Sequence, residues 1–194
     1  MKPFERKIKY EQELHRDFPN HIAETPWGKD ILDCIQCGAC SGVCPTSPYM
    51  DYPPRRIIAM IREGMKEEVL KSFTIWLCSS CYACTANCPQ GIKITEVMYG
   101  LKRMAIEEGV YPKGFPIPTL ANDFFELAKT NGRIPEFWLA FKLMLKTGIG
   151  KSLSYLPIGM ELLKTGRVAL KAEKVSEEGR RQIQTLLEQM EENK

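Results

Sequence analysis

Apolar residues along this chain recur at helical rather than strand intervals. After the pair Pro53-Pro54, the residues Ile57, Ile58 and Ile61 fall at i, i+1 and i+4, and Gly64 supplies a stop. A shorter helix is predicted over residues 66–71. From Thr95 onward Val97, Met98, Leu101, Met104 and Ala105 keep a spacing near 3.6, and Gly109 ends the run. Upstream, Phe4, Ile8, Leu14 and Phe18 lie loosely on one face of a helix that Pro19 should terminate. Pro112, Pro116 and Pro118 read as a linker. Beyond them helices are predicted over residues 119–130, 135–146 and 158–163. A last helix after Ser176 carries Ile183, Leu186, Leu187 and Met190 at i, i+3, i+4 and i+7. No alternating segment with a turn beside it suggests a hairpin. The expected fold class is all-α, in three parts: a helical extension over residues 1–24, a central domain over 25–110 and a helical region over 111–194.

Composition changes this picture little. Of 194 residues 44% are apolar, enough for a core, and the net charge of +3 comes from acids and bases mixed along the chain. There is no basic stripe or known module of the kind a nucleic-acid binder shows. The most apolar stretch, residues 134–149, is interrupted by Glu136, Lys142 and Lys146, so no membrane span is expected. The opening Met-Lys-Pro-Phe-Glu-Arg-Lys has charge but no apolar run behind it and does not read as a signal peptide. A cytoplasmic location is the expectation.

The eight cysteines carry the chemistry. They form Cys34-Ile35-Gln36-Cys37-Gly38-Ala39-Cys40-Ser41-Gly42-Val43-Cys44-Pro45 and Cys78-Ser79-Ser80-Cys81-Tyr82-Ala83-Cys84-Thr85-Ala86-Asn87-Cys88-Pro89. Each reads C-x2-C-x2-C-x3-C-P, and every member of the second group stands 44 residues after its counterpart, which marks an internal duplication. Three cysteines two residues apart let one curled loop aim three thiolates at three corners of a cubane. Two [4Fe–4S] clusters are therefore expected, with Cys34, Cys37, Cys40, Cys44, Cys78, Cys81, Cys84 and Cys88 as the metal-binding residues. A disulfide framework does not suit a chain expected in a reducing compartment. Zinc modules present paired C-x2-C knuckles or Cys/His sets instead.

Smaller residues add detail. Gly38 and Gly42 would let backbone N–H groups approach the inorganic sulfides. Trp76 and Tyr82 would either shield the second cluster or pack in the core. His15 and His21 are expected on the surface. The aromatic residues Phe124, Phe125, Phe137, Trp138 and Phe141 either pack against the cluster domain or form a docking arm for a partner.

The motifs are similar to those of two-cluster ferredoxins, in which the fourth cysteine ligates the other cluster. That resemblance implies Cys34, Cys37, Cys40 and Cys88 for cluster one, and Cys78, Cys81, Cys84 and Cys44 for cluster two. Met50-Asp51-Tyr52-Pro53, Ile75-Trp76-Leu77-Cys78, Cys88-Pro89-Gln90-Gly91-Ile92 and Glu96-Val97-Met98 together resemble the C subunit of heterodisulfide reductase. The likeness implies an alpha-helical ferredoxin domain with added helices at both ends. It also implies an electron-transfer component of an oxidoreductase. Such a component relays electrons from the flavin- and iron–sulfur-bearing A subunit to the B subunit, where the CoM-S-S-CoB disulfide of methanogenesis is reduced. A hydrogenase or formate dehydrogenase supplies electrons indirectly, and the flavin of the A subunit bifurcates them. Sites of the kind found in the B subunit need a Cys-Cys-Gly motif that this sequence lacks, so no catalytic residue is expected here. The same module in a related complex of sulfur metabolism, or a free dicluster ferredoxin, is the alternative. The long C-terminal region counts against a free carrier.

Overall fold

The structure, a computed structural model, describes residues 10–112, 115–147, 156–166 and 175–192. It is all-helical, with no strand among the described residues. The chain divides into two units, Met1–Lys113 and Gly114–Lys194.

The first unit contains α1 (Phe18–Glu24), α2 (Ala39–Gly42), α3 (Pro54–Arg62), α4 (Lys66–Lys71), α5 (Thr74–Leu77), α6 (Ala83–Ala86) and α7 (Ile94–Glu107). Its core is the apolar stripe read from the sequence: Ile57, Ile58 and Ile61 of α3 meet Val69 and Leu70 of α4 and Val97, Met98 and Leu101 of α7. Burying such aliphatic side chains contributes roughly 1.5–3 kcal/mol each, which makes these three helices the frame on which the cysteine loops hang. α3 and α7 end alike. Gly64 (φ 76°) and Gly109 (φ 67°) turn into the left-handed region. The next amides, of Met65 and Val110, then reach back to the carbonyls of Met60 and Ala105 at 2.9 Å each. At Gly64 a side chain would also strike the backbone: a Cβ there would lie 2.6 Å from the His15 carbonyl oxygen.

The N-terminal expectation fails in a specific way. Residues 1–9 lie outside the described residues. From Tyr10 onward there is only a 3-10 turn, Glu11–Glu13, before a helix that begins at Phe18, where the predicted one should have ended. Pro19 occupies the first turn of α1, where its missing N–H costs nothing and its fixed φ favours initiation. Phe18 and Ile22 are buried in the core.

The second unit holds α8 (Pro116–Asn131), α9 (Glu136–Thr147), α10 (Leu156–Lys164) and α11 (Glu177–Glu192), with α8 packed on α9 and α11. Pro116 and Pro118 lie inside the first turn of α8 and not in a linker, for the same reason as Pro19. Asp123 of α8 is buried and accepts hydrogen bonds from Lys146 (2.6 Å) and Lys142 (3.0 Å) of α9. Phe137 and Phe141 stack at 6.4 Å, with Trp138 edge-on to Phe141. Trp138, Phe141, Phe124 and Phe125 all remain exposed. Among the described residues no helix is long and apolar enough to cross a membrane.

Candidate iron–sulfur centres

Each cysteine group folds into the same small device. A short buried lead-in delivers the first cysteine: Ile31 before Cys34 and Ile75 before Cys78, both fully buried and 44 residues apart. The loop then passes twice through the left-handed region, at Gln36 (φ 57°) and Gly38 (φ 86°) in the first group, and at Ser80 and Tyr82 (φ 60° each) in the second. It enters a one-turn helix, α2 or α6, that carries the third cysteine. Such turns gather successive N–H groups into an anion-binding concavity. Three of the four residues have a Cβ, and holding them there costs on the order of 1–3 kcal/mol each. Gly42, by contrast, has no conformational need to be glycine: its position in α2 is open, and its counterpart is Ala86.

The two groups come together through their fourth cysteines. One hollow is lined by Cys34, Cys37, Cys40 and Cys88; a second is lined by Cys78, Cys81, Cys84 and Cys44. Both are shallow and open on one side, and each is ringed by four thiols. All eight thiols are free of disulfides. Among the described residues no three Cys, His, Asp or Glu side chains converge closely enough to hold a single metal ion. Four thiols ringing a hollow suit a cubane, in which each iron takes its own sulfur, better than one zinc. The third cysteine of each group, Cys40 and Cys84, is buried, and the second, Cys37 and Cys81, is exposed. Burial pushes the Cys40 thiol up; a hydrogen bond with Ser41 opposes this, and the neighbouring thiols of Cys34, Cys84 and Cys37 add to it. A metal ion is thus what would make it a thiolate.

Side chains the sequence did not mark complete the centres. The Gln36 amide donates to Cys34 Sγ at 3.4 Å, while the hydroxyls of Thr46 and Thr95 lie 3.3 and 3.5 Å from Cys44 and Cys84 Sγ. The residue after the third cysteine does the same work in both halves. Ser41 Oγ accepts the Arg55 amide at 3.0 Å, and Thr85 Oγ1 accepts the Thr95 amide at 3.1 Å, capping α3 and α7 at their second residues. Seven residues further on, Arg62 and Lys102 return to the carbonyls of Cys34 (2.6 Å) and Cys78 (3.4 Å). The duplication therefore continues into the long helices with an offset of 40 rather than 44, because the first half carries four extra residues before its helix. Asp51 ties that longer connection down: its carboxylate accepts the amides of Phe73 and Thr74 at 2.8 Å and the Thr74 hydroxyl, at the start of α5. Of the two aromatics, Tyr82 lines the second hollow, and Trp76 packs against the core. His15 and His21 are exposed.

Residues 30–92 match the family described as 4Fe-4S dicluster domain. The C subunit of a ferredoxin/F420H2-dependent CoB-CoM heterodisulfide reductase of Methanosarcina acetivorans is 41% identical over 83 residues, covering 43% of this chain and 51% of that protein. The iron-sulfur C subunit of the CoB–CoM heterodisulfide reductase of Methanopyrus kandleri is 32% identical over 110 residues, 53% and 57% of the two chains. The C2 subunit of an H2/formate:CoB-CoM heterodisulfide,ferredoxin reductase of Methanococcus maripaludis is 34% identical over 105 residues, 50% and 56%. The chain thus spans about half the length of the curated relatives it matches. It is a protein of two [4Fe–4S] clusters, built on a 4Fe-4S dicluster domain and related to the C subunits of heterodisulfide reductases.

Proposed function

We propose that this chain is the electron-relaying component of a heterodisulfide reductase complex. The single observation that carries this is the pairing of the hollows, each lined by three cysteines of one group and the fourth of the other. In this reading Cys34, Cys37, Cys40 and Cys88 hold cluster one, and Cys78, Cys81, Cys84 and Cys44 hold cluster two. The clusters supply one-electron carrier chemistry. The chain's own residues orient the thiolates, donate hydrogen bonds to them and keep the two sites side by side through α2 and α6, which pack together.

Electrons would pass from a flavin-bearing A subunit, fed by a hydrogenase or formate dehydrogenase, to a disulfide-reducing B subunit. The names carried by the relatives support the complex, and the use of all eight cysteines supports the absence of substrate chemistry in this chain. We assign residues 25–110 to the cluster domain and residues 111–194 to docking on a partner protein. The exposed Phe124, Phe125, Trp138 and Phe141 support that docking role. A cytoplasmic site for the complex agrees with this reading. Affinity purification of the tagged native protein tests it. A flavin-containing protein and one with Cys-Cys-Gly motifs should co-purify, and a monomer without stable partners would refute it.

A further inference from the structure

The two centres are near copies, so the positions at which they differ set how they differ electronically. Aligned through their capping hydroxyls, α3 and α7 present Arg55 and Ile58 to the first hollow, and Thr95 and Met98 to the second. One of these pairs is two apolar residues. The other sets a guanidinium against a hydroxyl. The cation lies against the first loop: a Cβ at Gly38 would be in ordinary contact with Arg55 Cδ at 3.6 Å and with Nε and Nη1 at 3.9 Å, and the corresponding position in the second loop is Tyr82. Arg55 makes no ion pair among the described residues.

Charges elsewhere in the two halves lie outside the hollows. Arg62 and Lys102 serve the same carbonyl in each. Asp33 adjoins Cys34, and Asp51 caps the helix that leads to Cys78; neither lines a hollow. Neutral hydrogen bonds to sulfur are matched in number, from Gln36 and Ser41 at the first centre and from Thr46 and Thr95 at the second. They are also dipoles, whose field falls off faster with distance than that of a whole charge, so Arg55 sets the difference.

We propose that Arg55 holds cluster one at the higher reduction potential of the two. Reduction adds an electron to a centre that already carries four thiolate charges, and a facing cation favours the more negative state. An electron delivered by a one-electron-donating partner to cluster two would then run downhill to cluster one, and from there to an oxidised partner. This direction rests on the relay reading above; the order of the potentials does not.

Redox titration of the iron-loaded full chain, followed by EPR, tests the order. Arg55→Gln should lower the higher potential and leave the lower one in place, and Arg55→Lys should restore it. A Gln variant with both potentials unchanged, or with the lower one moved as far as the higher, would overturn the proposal. Should Arg55→Gln hold fewer than the wild-type complement of iron, the variant Cys37→Ala/Cys88→Ala decides instead. It keeps only cluster two, whose potential should match the lower wild-type value; a match to the higher value would overturn the assignment. Loss of all iron in that double variant would refute the crossed ligand sets that define cluster one and so overturn the assignment as well.

Discussion

Gln36 and Ser80, each two residues past the first cysteine of its group, both sit in the left-handed backbone region, at φ 57° and 60°. Neither is glycine, so each loop stores strain at the same place. Binding of a cluster by the neighbouring thiols would offset that strain. Ser80→Gly should therefore raise the thermal stability of the loaded protein by about 1 kcal/mol with its iron content intact. Ser80→Val, β-branched at the same φ, should load less iron. Melting curves with parallel iron analysis distinguish these outcomes; equal loading of Val and Gly variants would show that the loop is not held in this conformation.

Asp51 belongs to the connection after the first cysteine group yet bonds the start of the helix that delivers the second. Asp51→Ala removes the carboxylate that accepts the Phe73 and Thr74 amides at the start of α5 and should cost about 1–2 kcal/mol. The local consequence is more specific than the global one. Hydrogen exchange at Phe73 and Thr74 should accelerate while the amides of α3 stay protected, and uniform loss of protection would argue against a local tie.

Gly100 faces Trp27 across α7, and a methyl group there would overlap the indole ring. Gly100→Ala should destabilise the protein by about 1–3 kcal/mol even though alanine is the better helix former. Trp27→Leu in the same background should recover part of the loss. Chemical denaturation of the single and double variants measures this, and additive effects would contradict the contact.

In the second unit burial works against the charge of Asp123, but Lys146 and Lys142 hold its carboxyl below the usual carboxylate range. A carboxyl whose folded pKa lies below its unfolded one contributes stability that is full above the unfolded value, about 3.9. That contribution disappears as pH falls through the folded value. Peptides of α8 and α9 should thus lose exchange protection below about pH 4. Asp123→Asn should exchange faster already at neutral pH and show less of this acid step. An unaltered acid step would place its origin elsewhere.

How much of this is legible in the sequence follows physical lines. The cysteine spacing and the apolar stripes of α3, α4 and α7 are local patterns, and residues 66–71 form the helix expected of them. Pro19 and Pro116 look like interruptions in the sequence, although both open helices; proline cannot continue a helix from its N-terminal side but readily begins one. The left-handed turns at Gln36, Ser80 and Tyr82 carry no glycine to announce them. Asp51 and Arg62 act on partners 22 to 28 positions away, which no window of sequence reveals. The equivalence of Arg55 with Thr95 is hidden by the repeat itself, since the period of 44 pairs Arg55 with Tyr99 until the four extra residues are located in space.

Whether the two centres exchange their fourth ligands is decided by the iron and sulfide content of two double variants. If the sets cross, Cys37→Ala/Cys88→Ala removes two ligands of one cluster and should keep half the wild-type iron and sulfide per chain. Cys37→Ala/Cys44→Ala removes one ligand from each cluster and should leave both impaired. If each cysteine group held its own cluster, the second variant would keep half the iron, the first would lose both clusters, and the crossed assignment would be wrong.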